Sequence, residues 1–106
     1  MWSVEYLDDV ARSEVEELPR DLRSRFEKVV SLIQLDGLEK VHEPYVKHIQ
    51  GKLWEIRMSG KDGIARSLYV TAHRRRVIVL RTFIKKTQKT PNREIMLALK
   101  RAKEVK

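Results

Sequence analysis

The run Val77-Ile78-Val79-Leu80 places four apolar residues in succession with no polar position between them. A strand with one face in water alternates apolar and polar residues, so a continuous apolar run is typical of a central strand covered on both faces. Alternation resumes after this run, where Arg81, Phe83 and Lys85 fall on the same strand face. The chain is therefore expected to fold around a sheet whose central strand ends in cations.

The first half of the chain carries helical signals. Ser13 and Glu16 have the spacing at which a hydroxyl and a carboxylate bond the free amides of a helix start, which predicts a short first helix ending near Leu18. Pro19 suits the first turn of a second helix because an N–H is not needed there. Asp36-Gly37 predicts the end of that helix. Its apolar stripe has helical spacing and consists of Leu22, Phe26, Val29, Val30 and Ile33.

Strand patterns occupy the two ends of the remaining sequence. Trp2, Val4 and Tyr6 alternate with polar residues and predict a short first strand, and the period changes to two from Tyr45 onward. The predicted parts that follow are a strand at 53–58, a turn at Ser59–Gly63, a strand at Ile64–Ala72, a turn at His73–Arg76, a strand ending near Lys85 and a basic helix after Pro91. We predict one domain, residues 1–106, with an α+β two-layer fold. It has an antiparallel sheet of about four strands, two N-terminal helices packed on one face and a C-terminal basic helix.

Charge is distributed unevenly along the chain. Residues 1–50 carry 7 Lys and Arg against 11 Asp and Glu, a net of −4, whereas residues 51–106 carry 16 against 4, a net of +12. An asymmetry of this size predicts a basic face that attracts a polyanion, and nucleic acid is the leading partner.

Several classes of protein are excluded or disfavoured. The chain has no cysteine, which excludes disulfides, thiolate metal sites and a cysteine nucleophile. The three histidines lack metal-ligand spacing, and the glycine-rich phosphate loop, the G-x-S-x-G elbow and the H-E-x-x-H motif are absent, so we expect neither a metal nor a cofactor. The sequence has neither an export signal nor a run of the roughly 18–20 apolar residues that span a bilayer, so we expect a cytoplasmic protein without a membrane partner.

The candidate working surface consists of Arg57, Arg66, Arg81, Lys85, Lys86 and Lys89. Arginine binds phosphate oxygens through two donors and lysine acts as a point charge, so the group suits RNA backbone binding and stabilisation of a charged transition state. Phe83 either stacks on a base or packs in the core, and Tyr69 is more typical of a half-buried strand residue than of a proton donor. Glu55 is either a general base or, as we favour, the ion-pair partner of Arg57. The turn residues Arg74, Arg75 and Arg76 are either solvated or make nonspecific RNA contacts.

Two segments, Leu53-Trp54-Glu55-Ile56-Arg57 and the run from Phe83 to Pro91, resemble hallmark segments of the RelE/ParE toxin superfamily, specifically its phage-derived HigB-like branch. The similarity extends over Glu17-Leu18-Pro19, the segment Glu43–Lys47 and the helix beginning at Arg93-Glu94-Ile95. The resemblance implies the toxin of a type II toxin–antitoxin pair. It implies a metal-independent endoribonuclease that cuts mRNA in the ribosomal A site by attack of a 2′-hydroxyl on the adjacent phosphate.

The resemblance also implies roles for particular residues and partners. Arg57, Arg66 and Arg81 would orient and neutralise the phosphate, Lys85, Lys86 or Lys89 would assist proton transfer, and Phe83 would stack on mRNA. The expected partners are a HigA-like helix-turn-helix antitoxin, mRNA and the ribosome, with DNA contacted only through the antitoxin complex. Two alternatives stay open, namely a ParE-like inhibitor of DNA gyrase without nuclease activity and a non-catalytic basic RNA-binding module.

Overall fold

The computed structural model describes residues 1–61, 63–87 and 89–106. The elements are β1 (Ser3–Tyr6), α1 (Asp9–Glu16), α2 (Arg20–Asp36), a 3-10 turn (Leu38–Lys40), β2 (Val46–Gln50), β3 (Leu53–Gly60), β4 (Gly63–Ala72), β5 (Arg76–Lys85) and α3 (Asn92–Ala102). The α+β class is as predicted. Asp62 in the predicted turn at Ser59–Gly63 and Gln88 in the predicted run from Phe83 to Pro91 lie outside the described residues.

The sheet has five strands in the order β1-β5-β4-β3-β2. β1 runs parallel to β5, and the other neighbours are antiparallel. The expected antiparallel sheet of about four strands therefore matches only in part, because the sheet has a fifth strand and β1 runs parallel to β5. The period of two was recognised from Tyr45 onward, but the first strand of this region was placed at residue 53, because β2 is an edge strand in which only Val46 is fully buried.

Helices cover both faces of the sheet. α1 and α2 bury Val15, Leu22 and Phe26 against one face, which also presents Ile56 and Val79. On the other face, Ala98 of α3 packs against Leu68, Ile78 and Leu80. The predicted two-layer arrangement is thus wrong, because α3 adds a third layer. Two covered faces are what the uninterrupted apolar run of β5 indicates.

Local signals fixed most element ends. The predicted helix start at Ser13 is wrong, because Asp8 accepts a bond from the Ala11 amide at 2.9 Å and starts α1 one turn earlier. Pro19 and Gly37 flank α2 as predicted, and Gly37 has a φ of 90°. The turn between β4 and β5 holds two arginines in the left-handed region, Arg74 at φ 66° and Arg75 at φ 57°. In the part of the chain that the structure describes, no helix has the length and apolar character needed to cross a bilayer.

Candidate nucleic-acid interface

The strand register brings cations from three strands onto the face that α3 partly covers. Arg57 lies opposite Arg66, Arg66 lies opposite Phe83, and Lys85 lies opposite Ile64. Directly paired residues point to the same side of a sheet. Arg57, Arg66 and Lys85 therefore share one face.

A cleft of about 710 Å³ opens on this face, between β2, β3 and the segment leading into α3. We call it the basic cleft. Its polar lining includes Lys47, Arg57, Lys85, Lys89, Glu55 and Thr90. Four cationic side chains thus face one carboxylate among the described lining residues, and such a site attracts an anion.

Glu55 is the centre of this cluster. Its carboxylate lies 3.4 Å from Nε of Arg66 and 3.6 Å from Nε of Arg57, and it accepts a hydrogen bond from Oγ1 of Thr90 at 2.7 Å. Glu55 is only 2% exposed. The favoured prediction that Glu55 pairs with Arg57 is confirmed, and the same carboxylate also contacts Arg66, which the sequence did not indicate. With contacts to Arg57, Arg66 and Thr90, the Glu55 carboxylate is placed to fix the positions of the two arginines.

Lys85 has a perturbed ammonium group. Burial lowers the pKa of Lys85, and the positive charges of Arg66 and Arg57 lower it further, although Glu55 opposes the effect. Burial likewise lowers the pKa of the Arg66 guanidinium, with Glu55 raising it and Arg57 lowering it. The depressed pKa of Lys85 matters chemically because a lysine transfers protons near neutral pH only when its charged form is disfavoured.

Arg81 lies in a different environment from the other predicted phosphate ligands. Its guanidinium bonds Glu94 of α3 at 2.8 Å and Glu14 of α1 at 2.7 Å. Arg101 also donates to Glu14 at 2.9 Å and to the carbonyl oxygen of Leu80 at 2.7 Å. We call Glu14, Arg81, Glu94 and Arg101 the carboxylate knot. Because Arg81 binds one carboxylate from α1 and one from α3, it links both helices to the edge of β5.

Both aromatic candidates pack in the interior. Phe83 is 7% exposed and belongs to the apolar cluster with Leu68, Leu80 and Ala98. Tyr69 is 1% exposed, and burial strongly raises the pKa of its phenol. Of the two roles left open for Phe83, core packing is the one that fits this burial. Tyr69 is still more deeply buried than the half-buried position expected for it.

The arginines of the β4–β5 turn lie far from the basic cleft. Arg66 and the turn are separated by six residues of β4, which is about 20 Å along an extended strand. Arg76 forms a bidentate pair with Glu5 of β1 at 2.9 and 3.2 Å, whereas Arg74 and Arg75 are exposed. Lys86 is exposed just after β5 ends. Of the predicted set, Arg57, Lys85 and Lys89 line the cleft, and the buried Arg66 contacts its lining residue Glu55.

The sequence reasoning missed two residues that line the cleft, Lys47 and His48, and one carboxylate, Glu43, that contacts the lining residue Arg57. Lys47 is paired in register with Glu55, and His48 lies beside it with its ring 5.0 Å from that of Trp54. Glu43 reaches within 3.9 Å of Nη1 of Arg57 and is 68% exposed. The Glu43–Lys47 segment does stand out in sequence, but its pairing with β3 follows only from recognising β2 as a strand.

The fold and the cleft define a small α+β protein with a cationic, carboxylate-centred groove on its sheet. A comparison with protein families matches residues 13–103 to the family described as phage-derived protein Gp49-like (DUF891). The match covers most of the chain, and the chain belongs to this family. Gp49-like proteins are a RelE/HigB-like toxin family associated with toxin–antitoxin systems. No curated protein matches the chain.

Proposed function

We propose that this protein is the toxin of a type II toxin–antitoxin pair of the HigB-like branch, and that it cuts mRNA in the ribosomal A site as a metal-independent endoribonuclease in the cytoplasm. The observation that carries the proposal is the convergence of Arg57, Arg66 and Lys85 on Glu55 at the basic cleft. Family membership supports the toxin assignment.

The cleft offers what cleavage of a ribose–phosphate link requires. The 2′-oxygen forms a bond to the adjacent phosphorus, the bond from phosphorus to the 5′-oxygen breaks, and the products are a 2′,3′-cyclic phosphate and a 5′-hydroxyl. Negative charge grows on the phosphate oxygens during this step. Arg57 and Lys85, both lining the cleft, would hold those oxygens, and Arg66 adds a fixed positive charge behind them.

Two protons must move in the reaction. Glu55 is held by Arg57, Arg66 and Thr90, whereas Glu43 is exposed and lies 3.9 Å from Nη1 of Arg57, so we assign Glu43 as the carboxylate that accepts the proton of the 2′-hydroxyl. Lys85, with its lowered pKa, is suited to give a proton to the departing 5′-oxygen. These assignments make Glu43 and Lys85 the acid–base pair and Arg57 the main phosphate ligand.

Cleavage of ribosome-bound message tests the proposal. Wild type is expected to cut, while Lys85→Ala, Arg66→Ala and Glu43→Gln each slow single-turnover cleavage roughly 100-fold or more with unchanged circular dichroism. Lys100→Ala, an exposed cation of α3, is the matched control and keeps the wild-type rate. An intact message together with blocked replication would replace this proposal with gyrase inhibition. RNA binding without cutting would replace it with a non-catalytic module.

The expected partner is an antitoxin of the helix-turn-helix, HigA-like kind, which would contact DNA while the toxin does not. A toxin must be held inactive in its own cell, and an acidic segment laid over four clustered cations is a direct way to do so. Co-expression tests this: the neighbouring gene's product is expected to co-purify and to suppress cleavage. Failure of every neighbouring product to suppress it would count against a toxin–antitoxin pair.

A further inference from the structure

A second cavity, of about 420 Å³, shares Arg57 with the basic cleft. It lies between α2, the segment before β2 and the strands β3 and β4, and we call it the α2 pocket. Its cationic lining is Arg25, Lys28, Arg57 and Arg66, and its apolar lining includes Tyr45 and Ile64. The described lining residues include four cations and no carboxylate.

The pocket exists because β2 stops short of the end of β3. The paired register ends at Val46 and Ile56, and the amide of Arg57 makes one more bond, to the carbonyl oxygen of Tyr45 at 2.8 Å. The part of β3 beyond this bond borders the cavity, since Met58 and Ser59 line it. Helix α2 supplies Arg25 and Lys28 from across the gap, three positions apart and so on one helix face.

The pocket combines an apolar surface with a cationic rim. Tyr45 is half-buried, and one face of its ring is turned toward Lys28, whose Nζ lies 5.7 Å from the ring centroid. Ile64 is 38% exposed, so part of its apolar side chain is accessible from the pocket that it lines. An aromatic ring and an apolar side chain next to several cations suit a nucleobase with its attached phosphate.

We propose that the α2 pocket binds one nucleotide of the RNA next to the link that is cut, with its base on Tyr45 and Ile64 and its phosphate against Arg25 and Lys28. This inference rests on the proposed nuclease function and extends it with a second subsite. Arg57 lines both cavities, so the RNA strand passes over Arg57 from one to the other. The subsite positions the strand and takes no part in the chemical step.

The base contact is tested with ribosome-bound mRNA carrying an abasic nucleotide at each position flanking the cleaved link. For wild type, one flanking position is expected to raise the half-saturating toxin concentration roughly tenfold, because stacking of one base contributes about that much. Tyr45→Leu keeps the apolar contact but removes the ring. It is expected to show the same roughly tenfold weakening with intact mRNA and no further loss with the abasic one. The subsite would be overturned if the effects of Tyr45→Leu and of the abasic nucleotide were additive. It would also be overturned if no flanking abasic position weakened binding by wild type.

The phosphate contact is tested with a short RNA made non-cleavable by a 2′-deoxy substitution at the cut link. The double variant Arg25→Ala/Lys28→Ala is expected to bind more weakly, with its salt dependence reduced by about 0.7 in log–log slope for each phosphate that the variant no longer neutralises. Arg20→Ala/Lys100→Ala removes the same charge at exposed positions outside the pocket and is the control. Equal slopes in the two variants would overturn the phosphate contact.

Failure of this subsite and failure of the nuclease function are distinguishable. A wild type that leaves ribosome-bound mRNA uncut defeats the proposed function and the subsite with it. A wild type that cuts, with Tyr45→Leu and Arg25→Ala/Lys28→Ala cutting equally well at every toxin concentration, defeats only the subsite. If those variants cut normally but escape suppression by the antitoxin, the pocket binds a peptide instead, which also overturns the proposal.

Discussion

Glu14 holds two helix layers to the sheet edge, and its replacement by glutamine isolates that contribution. The Glu14 carboxylate accepts bonds from Nη1 of Arg81 at 2.7 Å, Nη1 of Arg101 at 2.9 Å and the amide of Thr82 at 3.2 Å. Glutamine keeps the shape and one acceptor oxygen but removes the negative charge. The substitution therefore leaves part of the knot's positive charge without a counter-charge.

The expected loss follows from these contacts. A bond to a charged group contributes roughly 1.5–3 kcal/mol when its partner is removed. Water compensates for part of this free energy here, because the side chains of Arg81 and Arg101 are 24% and 17% exposed. With two of the three bonds weakened, we expect Glu14→Gln to lower the free energy of unfolding by about 2–3 kcal/mol. For a chain of this length that is a fall in Tm of about 10 °C.

The pH dependence supplies a second readout. Burial alone would raise the pKa of Glu14, but the bonds from Arg101, the Thr82 amide and Arg81 outweigh it and lower the pKa below the ordinary value of 4.5. The folded state therefore binds this proton less readily than the unfolded chain. The stabilisation is present in full above pH 4.5 and is lost as the pH falls through the lowered pKa.

Thermal and urea unfolding, followed by circular dichroism across this range, measure both effects. Glu16→Gln is the matched control, since Glu16 is an exposed carboxylate of the same helix. The gap between the two variants should be widest near neutral pH and should close in acid. Equal stability of the two variants at neutral pH, or a gap unchanged in acid, would refute the reasoning about the carboxylate knot.

Three further predictions concern single regions of the molecule. Phe83→Leu, a change within the buried apolar cluster, should lower the free energy of unfolding by less than about 1.5 kcal/mol and leave mRNA cleavage unchanged. A large loss of cleavage with the fold intact would show instead that Phe83 stacks on mRNA. Arg74→Asn/Arg75→Gly should raise the free energy of unfolding in urea by about 1 kcal/mol, because both arginines have left-handed φ angles that Asn-Gly adopts readily. A loss of cleavage in this variant would show that the turn contacts RNA. Lys85→Arg keeps a positive charge but cannot release a proton near neutral pH, so single-turnover cleavage should fall at least 100-fold while RNA affinity holds; an undiminished rate would mean that Lys85 contributes charge alone.

The contrast between Arg57 and Arg81 shows how much of the site could be predicted from the sequence. Both residues alternate with apolar neighbours on strands, and the period of two was enough to assign them to one face. The two nonetheless have different partners, because Arg57 lies beside Glu55 and Arg81 lies between Glu14 and Glu94. Glu55 is two residues from Arg57, and this pairing was predicted, whereas Glu14 and Glu94 belong to α1 and α3, so no local pattern could predict the partners of Arg81.

The sequence by itself determined the α+β class, the bounds of α2, the covered central strand and the cationic strand end at Lys85. These follow from periodicity, caps and charge, which act over a few neighbouring residues. The tertiary structure decided that β1 is parallel to β5, that β2 closes the sheet and that α3 forms a third layer. It also decided which cations line a cleft and which are neutralised. Such choices depend on contacts between residues far apart in the chain, and their free energy arises only when the elements pack together.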